Sequence, residues 1–173
     1  VQTCALPISG VPSGFYDLDA MTSGFQPSDL VILAARPSMG KTAFVLNLAQ
    51  HAAVEKNVPV AIFSLEMSKE SLVMRMLCAE AQIDANRLRT GHMHTTGWTK
   101  LAAAMGRLGE APIYIDDSAL VNSLDIRAKC RRLKAEHNGL GMVIIDYIQL
   151  MHGRKQTDNR VQEVSEISRS LKT

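Results

Sequence analysis

Cysteine is scarce in this chain and odd in number. Cys4, Cys78 and Cys130 follow no metal-ligand spacing, which speaks against a disulfide framework and fits a reducing compartment. His92 and His94 stand close together in Gly-His-Met-His, but no cysteine or further histidine at suitable spacing joins them, so they read as a loop pair. No apolar run approaches the roughly 20 residues of a membrane span, so no transmembrane helix is expected. The formal net charge of +2 is too small to argue for nucleic acid by itself. Internal repeats and low-complexity tracts are also missing. What remains is a chain of 173 residues, 46% hydrophobic and 21% charged, which is enough for one globular domain with a real core.

One stretch organises that domain. Leu30 to Ala34 is a short apolar run that reads as a strand. Ala35-Arg36-Pro37-Ser38-Met39-Gly40-Lys41-Thr42 turns the chain, and Ala43 begins an apolar pattern of helical period carrying Phe44, Leu48 and Ala52. Strand, tight loop and helix in that order give meaning to a Walker A match. Backbone N–H groups of such a loop cradle phosphates, helped by the positive end of the helix dipole. Gly40 lets the backbone pass close to a phosphate, Lys41 brings a point charge, and the Thr42 hydroxyl suits Mg²⁺. The first glycine of the consensus is replaced by Ala35, which the loop tolerates if that position does not need positive φ.

Strands then alternate with helices. Val60–Leu65 reads as a buried strand with Glu66 at its carboxyl end. Ser68 reads as the N-cap of a helix to about Gln82, with Leu72, Met76 and Ala79 on one face. A short helix over Asp84–Thr90 and another over Trp98–Leu108 come next. Ile113–Ile115 is a strand ending at Asp116-Asp117, and Asn122 or Ser123 caps a helix to Glu136. Met142–Ile145 is a strand ending at Asp146, which Tyr147–Met151 extends. A polar loop, His152–Asn159, precedes a helix from Arg160. This alternation predicts an α/β fold, a mostly parallel sheet with helices on both faces, and ligands at the carboxyl ends of its strands.

The candidate chemistry lies at those ends. Asp146 closes a Walker B pattern and is placed to bind Mg²⁺ opposite Thr42. Glu66 is the candidate general base for an attacking water, the bland alternative being a helix-start acid. Gln149, three residues past Asp146, is either a γ-phosphate sensor or an exposed polar residue; on an extended segment it would face away from Asp146. Arg154, Lys155 and Arg160 form a basic loop suited to nucleic-acid phosphates, although it lacks an aromatic for stacking. The denser basic run Arg127, Lys129, Arg131, Arg132 and Lys134 reads as a solvated helix face.

ARPSMGKT, FSLEMS and IIDYIQLM together resemble the carboxy-terminal motor domain of the bacterial replicative DNA helicases, the DnaB family. GVPSGFYDLDAMTSGFQPSDL, YIDDSAL and DNRVQEVSEISRSLK resemble it too, so the likeness runs from about Gly10 to the end. It implies a RecA-like P-loop fold and a homohexamer that hydrolyses ATP, with Mg²⁺, between subunits. It further implies single-stranded DNA, primase and a helicase loader as partners, in the cytoplasm of a bacterium or of a phage-infected cell. Residues 35–43 would match the phosphate loop, Glu66 the catalytic glutamate, Asp146 the Walker B acid and Gln149 the glutamine just beyond it. Arg154 and Lys155 would lie in a DNA-contacting loop, and alanine is common in the family at the position of Ala35. Two other readings stand beside the helicase one: a RecA-like recombinase or regulatory ATPase without processive unwinding, against which FSLEMS and DYIQLM speak, and a degenerate nucleotide-binding module, against which intact Lys41, Thr42, Glu66 and Asp146 speak in the parent protein.

Set against that family, 10–173 reads as a partial motor domain. The collar, the later strands and the arginine finger are not in this chain. In RecA-like sheets a later strand inserts between the Walker A and Walker B strands, so an interior gap, marginal stability and poor ATPase activity are expected of this chain by itself. Val1–Ser9 does not join naturally to the segment that begins at Gly10 and resembles a translated sequencing adapter; it is expected to be non-native. Resequencing the genomic locus checks this: those codons should be absent, and finding them there in frame would contradict the reading.

Overall fold

A computed structural model describes residues 8–118, 122–137, 139–151 and 160–172, the side chains of 160–163 excepted. Three strands form a parallel sheet in the order β2-β1-β3. They are β1 (Val60–Ser64), β2 (Ile113–Asp116) and β3 (Met142–Asp146). In the central strand β1 all five residues are buried, the reason its sequence is a continuous apolar run with no polar face. Register pairs Ser64 with Asp146 and Phe63 with Asp116, so the carboxyl tips of all three strands share one edge.

Helices cover both faces, as the alternation predicts. On one face, Val60 and Ile62 pack with Leu46, Ala49, Ala52 and Ala53 from α2 (Lys41–Gln50) and the π-helical turn His51–Glu55 that continues it. Leu72 and Met76 of α3 (Lys69–Ala81) complete that layer. On the other face, Ala61 and Phe63 pack with Ile126 of α6 (Ser123–Glu136) and Ile167 of α7 (Arg160–Lys172), together with Met151. A third cluster joins Ala81 of α3 to Leu101 and Ala104 of α5 (Thr95–Glu110), with Leu88 of α4 (Ala85–Thr90) against it. None of the helices is long and apolar enough to cross a membrane among the described residues.

Local chemistry explains the element ends. Ser68 caps α3 by accepting from Ser71 N–H, Asp84 caps α4, and Asn122 with Asp125 makes a reciprocal capping box on α6. Gln82 ends α3 in the left-handed conformation. Ahead of the phosphate loop, α1 (Tyr16–Thr22) belongs to a segment closed on itself: Val11 bridges Phe25, and buried Asp19 accepts from the N–H groups of Ser13 and Gly14. Phe15 stacks on Phe44 at 5.0 Å, fastening that segment to α2.

Five sequence expectations are corrected. Leu30–Ala34 is not a strand: it has no ladder partner among the described residues, and Leu30, Val31, Ile32 and Leu33 are exposed. An apolar run becomes a strand only when a neighbour satisfies its backbone groups, and among the described residues β3 borders β1 alone. Tyr147–Met151 does not extend β3 but folds into a 3₁₀ turn, Ile148–Leu150. The inward face of α2 and its π-helical continuation is set by Leu46, Ala49 and Ala53 as well as Leu48 and Ala52, while Phe44 is only half-buried. In α3, Cys78 and Ala81 are buried in place of Ala79, and α5 starts earlier than the predicted Trp98.

Hydrogen exchange on this 173-residue chain tests the sheet. Amides of 30–34 should exchange well ahead of those of Ala61, Ile62 and Phe63, because ladder bonds in a buried strand open only with larger unfolding. Equal protection of the two segments would contradict the unpaired run.

Candidate nucleotide site

The loop between Leu30–Ala34 and α2 is shaped by two left-handed residues, Ser38 (φ 65°) and Gly40 (φ 85°), with the Arg36 carbonyl accepting from Met39 N–H at 3.3 Å. Ala35 is not among the positive-φ residues, so alanine sits there without strain. A Cβ at Gly40 would meet nothing within 4 Å. The protein therefore needs glycine there for its φ, and the space over the loop is open for a ligand. Gly40 is the N-cap of α2; no side chain caps that end and no acid stands in its first turn. The first N–H groups of α2 are thus left to an external acceptor at the positive end of a ten-residue helix, an arrangement that binds anions.

Asp146, at the tip of β3, is 5% exposed. A buried carboxylate requires partners, and both come from the first turn of α2. Lys41 Nζ lies 3.0 Å from Oδ1, and Thr42 Oγ1 donates to Oδ2 at 2.6 Å. Lys41 Nζ also sits 4.1 Å from the ring centroid of Tyr147, a cation–π contact. Sequence reasoning misses that role for Tyr147; its place directly after the Walker B acid is the available signal. The oxygens of Thr42 and Asp146 suit a hard cation such as Mg²⁺, which needs only one or two protein oxygens beside phosphate and water. Among the described residues no group of three or more His, Cys, Asp or Glu could hold a metal.

Glu66 is exposed in the bend after β1. Leu65 N–H, one residue earlier, donates to the Asp146 carbonyl at 2.8 Å, which sets the Glu66 turn against the tip that holds Lys41 and Thr42. Gln149 is exposed within the 3₁₀ turn, so its separation from Asp146 is not that of an extended segment. Arg154 and Lys155 lie outside the described residues, and Arg160 opens α7. In the basic run of α6, Lys129 pairs with Asp116, Arg132 with Glu136, and Arg127 donates to the Ser170 carbonyl, consistent with a surface bonded to its own fold. Burial alone would raise Asp116, but hydrogen bonds from Lys129 and Ser118 outweigh it and hold that carboxyl below its ordinary range. Asp116 is thereby committed to the fold as an ion-pair partner.

The model of the DnaB-like helicase C terminal domain matches residues 10–173. This chain belongs to that family. Within it, the chain is 63% identical to the replicative DNA helicase DnaB of Geobacillus stearothermophilus over 166 residues, covering 95% of this chain and 36% of that protein. It is 59% identical to the replicative DNA helicase DnaC of Bacillus subtilis, covering 96% of this chain and 37% of that protein. The chain thus spans little more than a third of the length of these curated relatives. Its fold superposes on a DnaB-like replicative helicase solved with a view to its interactions with primase (TM-score 0.92, 36% identity, 99% of this chain and 42% of that one). It also superposes on the ATPase domain of G40P (TM-score 0.91, 38% identity, 95% and 59%). The parallel sheet with helices on both faces is therefore the RecA-like P-loop architecture of a DnaB-family domain.

Thr42→Val tests the contact at the centre of the site without assuming a reaction. Losing a hydrogen bond to a buried carboxylate should lower the unfolding free energy by about 1–3 kcal/mol. In urea titration the midpoint should fall with the slope unchanged; an unmoved midpoint would contradict the contact.

Proposed function

We propose that this chain is the ATP-hydrolysing motor of a replicative DNA helicase, coupling hydrolysis to translocation on single-stranded DNA and to duplex unwinding. The observation that carries the reading is the meeting of Lys41, Thr42 and Asp146 at the uncapped start of α2. The N–H groups of the 35–43 loop and the Lys41 ammonium bind the β- and γ-phosphates of ATP and hold the terminal group in position. Thr42 and Asp146 hold Mg²⁺, which when bound neutralises charge developing on the phosphates. Lys41 would exchange its carboxylate partner for phosphate oxygens, with the Tyr147 ring still backing it. Glu66, free of hydrogen bonds and ion pairs among the described residues and open to solvent, orients a water and takes its proton. Gln149 reports the γ-phosphate to the segment after it, where Arg154, Lys155 and Arg160 contact the DNA backbone.

The working assembly in this proposal is a cytoplasmic homohexamer, in a bacterium or encoded by a phage, with primase and a helicase loader as partners. The similar helicase studied for its interactions with primase supports the first of those partners.

The test uses the full-length protein. Lys41→Ala should lower ATP hydrolysis by roughly a hundredfold or more, the scale on which one preorganised charge contact acts. It should also abolish unwinding of a forked duplex. Glu66→Gln should keep nucleotide affinity while losing turnover. Hydrolysis undiminished in Lys41→Ala would overturn the assignment.

A further inference from the structure

The turn that presents Glu66 is braced from both neighbouring strands. The Glu66 carboxylate has no partner among the described residues, so its location is inherited from the backbone of Leu65–Met67. At the base of that bend stands Ser64, 2% exposed at the end of β1. Its hydroxyl donates to the Met67 carbonyl at 2.6 Å and accepts from Met67 N–H at 3.2 Å, closing a loop around Glu66. On one side the bend is tied to β3 by Leu65 N–H and the Asp146 carbonyl. On the other, Asp117, just past the end of β2, accepts from Lys69 N–H at 3.0 Å, with Lys69 Nζ 3.9 Å from its second oxygen. Lys69 is the first residue of α3, so Asp117 satisfies a helix-start N–H that Ser68 does not. Asp117 is itself held in place, because Asp116 is bonded by Lys129 of α6 and by Ser118.

We propose that Ser64 and Asp117 are positioning residues for Glu66, fixing from below and from the β2 side the turn that aims its carboxylate at the attacking water. This rests on the assignment of Glu66 made above. A water-activating group must stand within hydrogen-bond reach of that water, and a displacement of about 1 Å costs up to roughly a hundredfold in rate. Neither Ser64 nor Asp117 approaches Lys41 or Thr42 by any hydrogen bond or ion pair among the described residues, so phosphate binding should not depend on them.

The experiment is a double-mutant cycle in the full-length helicase, reading kcat, KM and the affinity for a non-hydrolysable ATP analogue. Asp117→Ala should lower kcat by roughly tenfold to a hundredfold with analogue affinity within about twofold of wild type. Asp117→Asn, which still accepts from Lys69 N–H, should recover most of that loss. Ser64→Ala should behave like Asp117→Ala; because Ser64 is buried, the two variants at the half-buried Asp117 carry the test if that one does not fold. In a Glu66→Gln background Asp117→Ala should have no further effect. A wild-type kcat in Asp117→Ala would overturn the proposal, as would the same fold-loss in the Glu66→Gln background as in wild type. If Glu66→Gln itself turned over at the wild-type rate, the Glu66 assignment would fall, and the proposal with it.

Discussion

A single buried carboxylate ties the fold to its chemistry. Asp146 is buried at the carboxyl tip of β3, where an unpaired charge would be costly. The chain answers with two groups from far earlier in the sequence, the Lys41 ammonium and the Thr42 hydroxyl. For both to reach it, α2 must begin at the tip of β3, and β3 must lie beside β1 in parallel register. The apolar clusters on the two faces of the sheet fix those relations. The same clustering of strand tips brings the Glu66 turn to the site, through Leu65 and the Asp146 carbonyl.

The site combines a rigid part with an open part. The buried strand β1 and the helices packed on the sheet set where Asp146, Thr42 and the Glu66 turn stand, while the start of α2 offers backbone N–H groups that no side chain caps. That division suits a ligand whose charge must be met by groups already in place, so that little reorganisation remains at the reactive step. The Tyr147 ring and the Asp146 carboxylate both meet the Lys41 ammonium, which fixes where that charge stands.

Much of this is legible in the residues, for reasons that can be named. A continuous apolar run such as Val60–Phe63 reads as a strand buried on both sides, and ladders to β2 and β3 make it one. Asn122 with Asp125 marks a helix start by bonds that are local in sequence. Lys41, Thr42 and Asp146 are legible as a set because spacing and strand order bring them to one edge. Other features depend on partners that sequence pattern does not report. Leu30–Ala34 has the composition of a strand, but a strand also needs a neighbour. Alternation misplaces Gln149 because its segment curls into a 3₁₀ turn. The brace formed by Ser64 and Asp117 exists only once three strand tips are assembled, so no local pattern reveals it; for Tyr147 the local signal is its place after Asp146.

The most direct measurement is a crystal structure of the full-length protein with magnesium and a non-hydrolysable ATP analogue. The account requires Thr42 Oγ1 about 2.0–2.1 Å from the metal, Asp146 beside it, and Lys41 Nζ moved from Asp146 onto a phosphate oxygen. A triphosphate bound away from α2, with the Lys41–Asp146 ion pair intact, would contradict it.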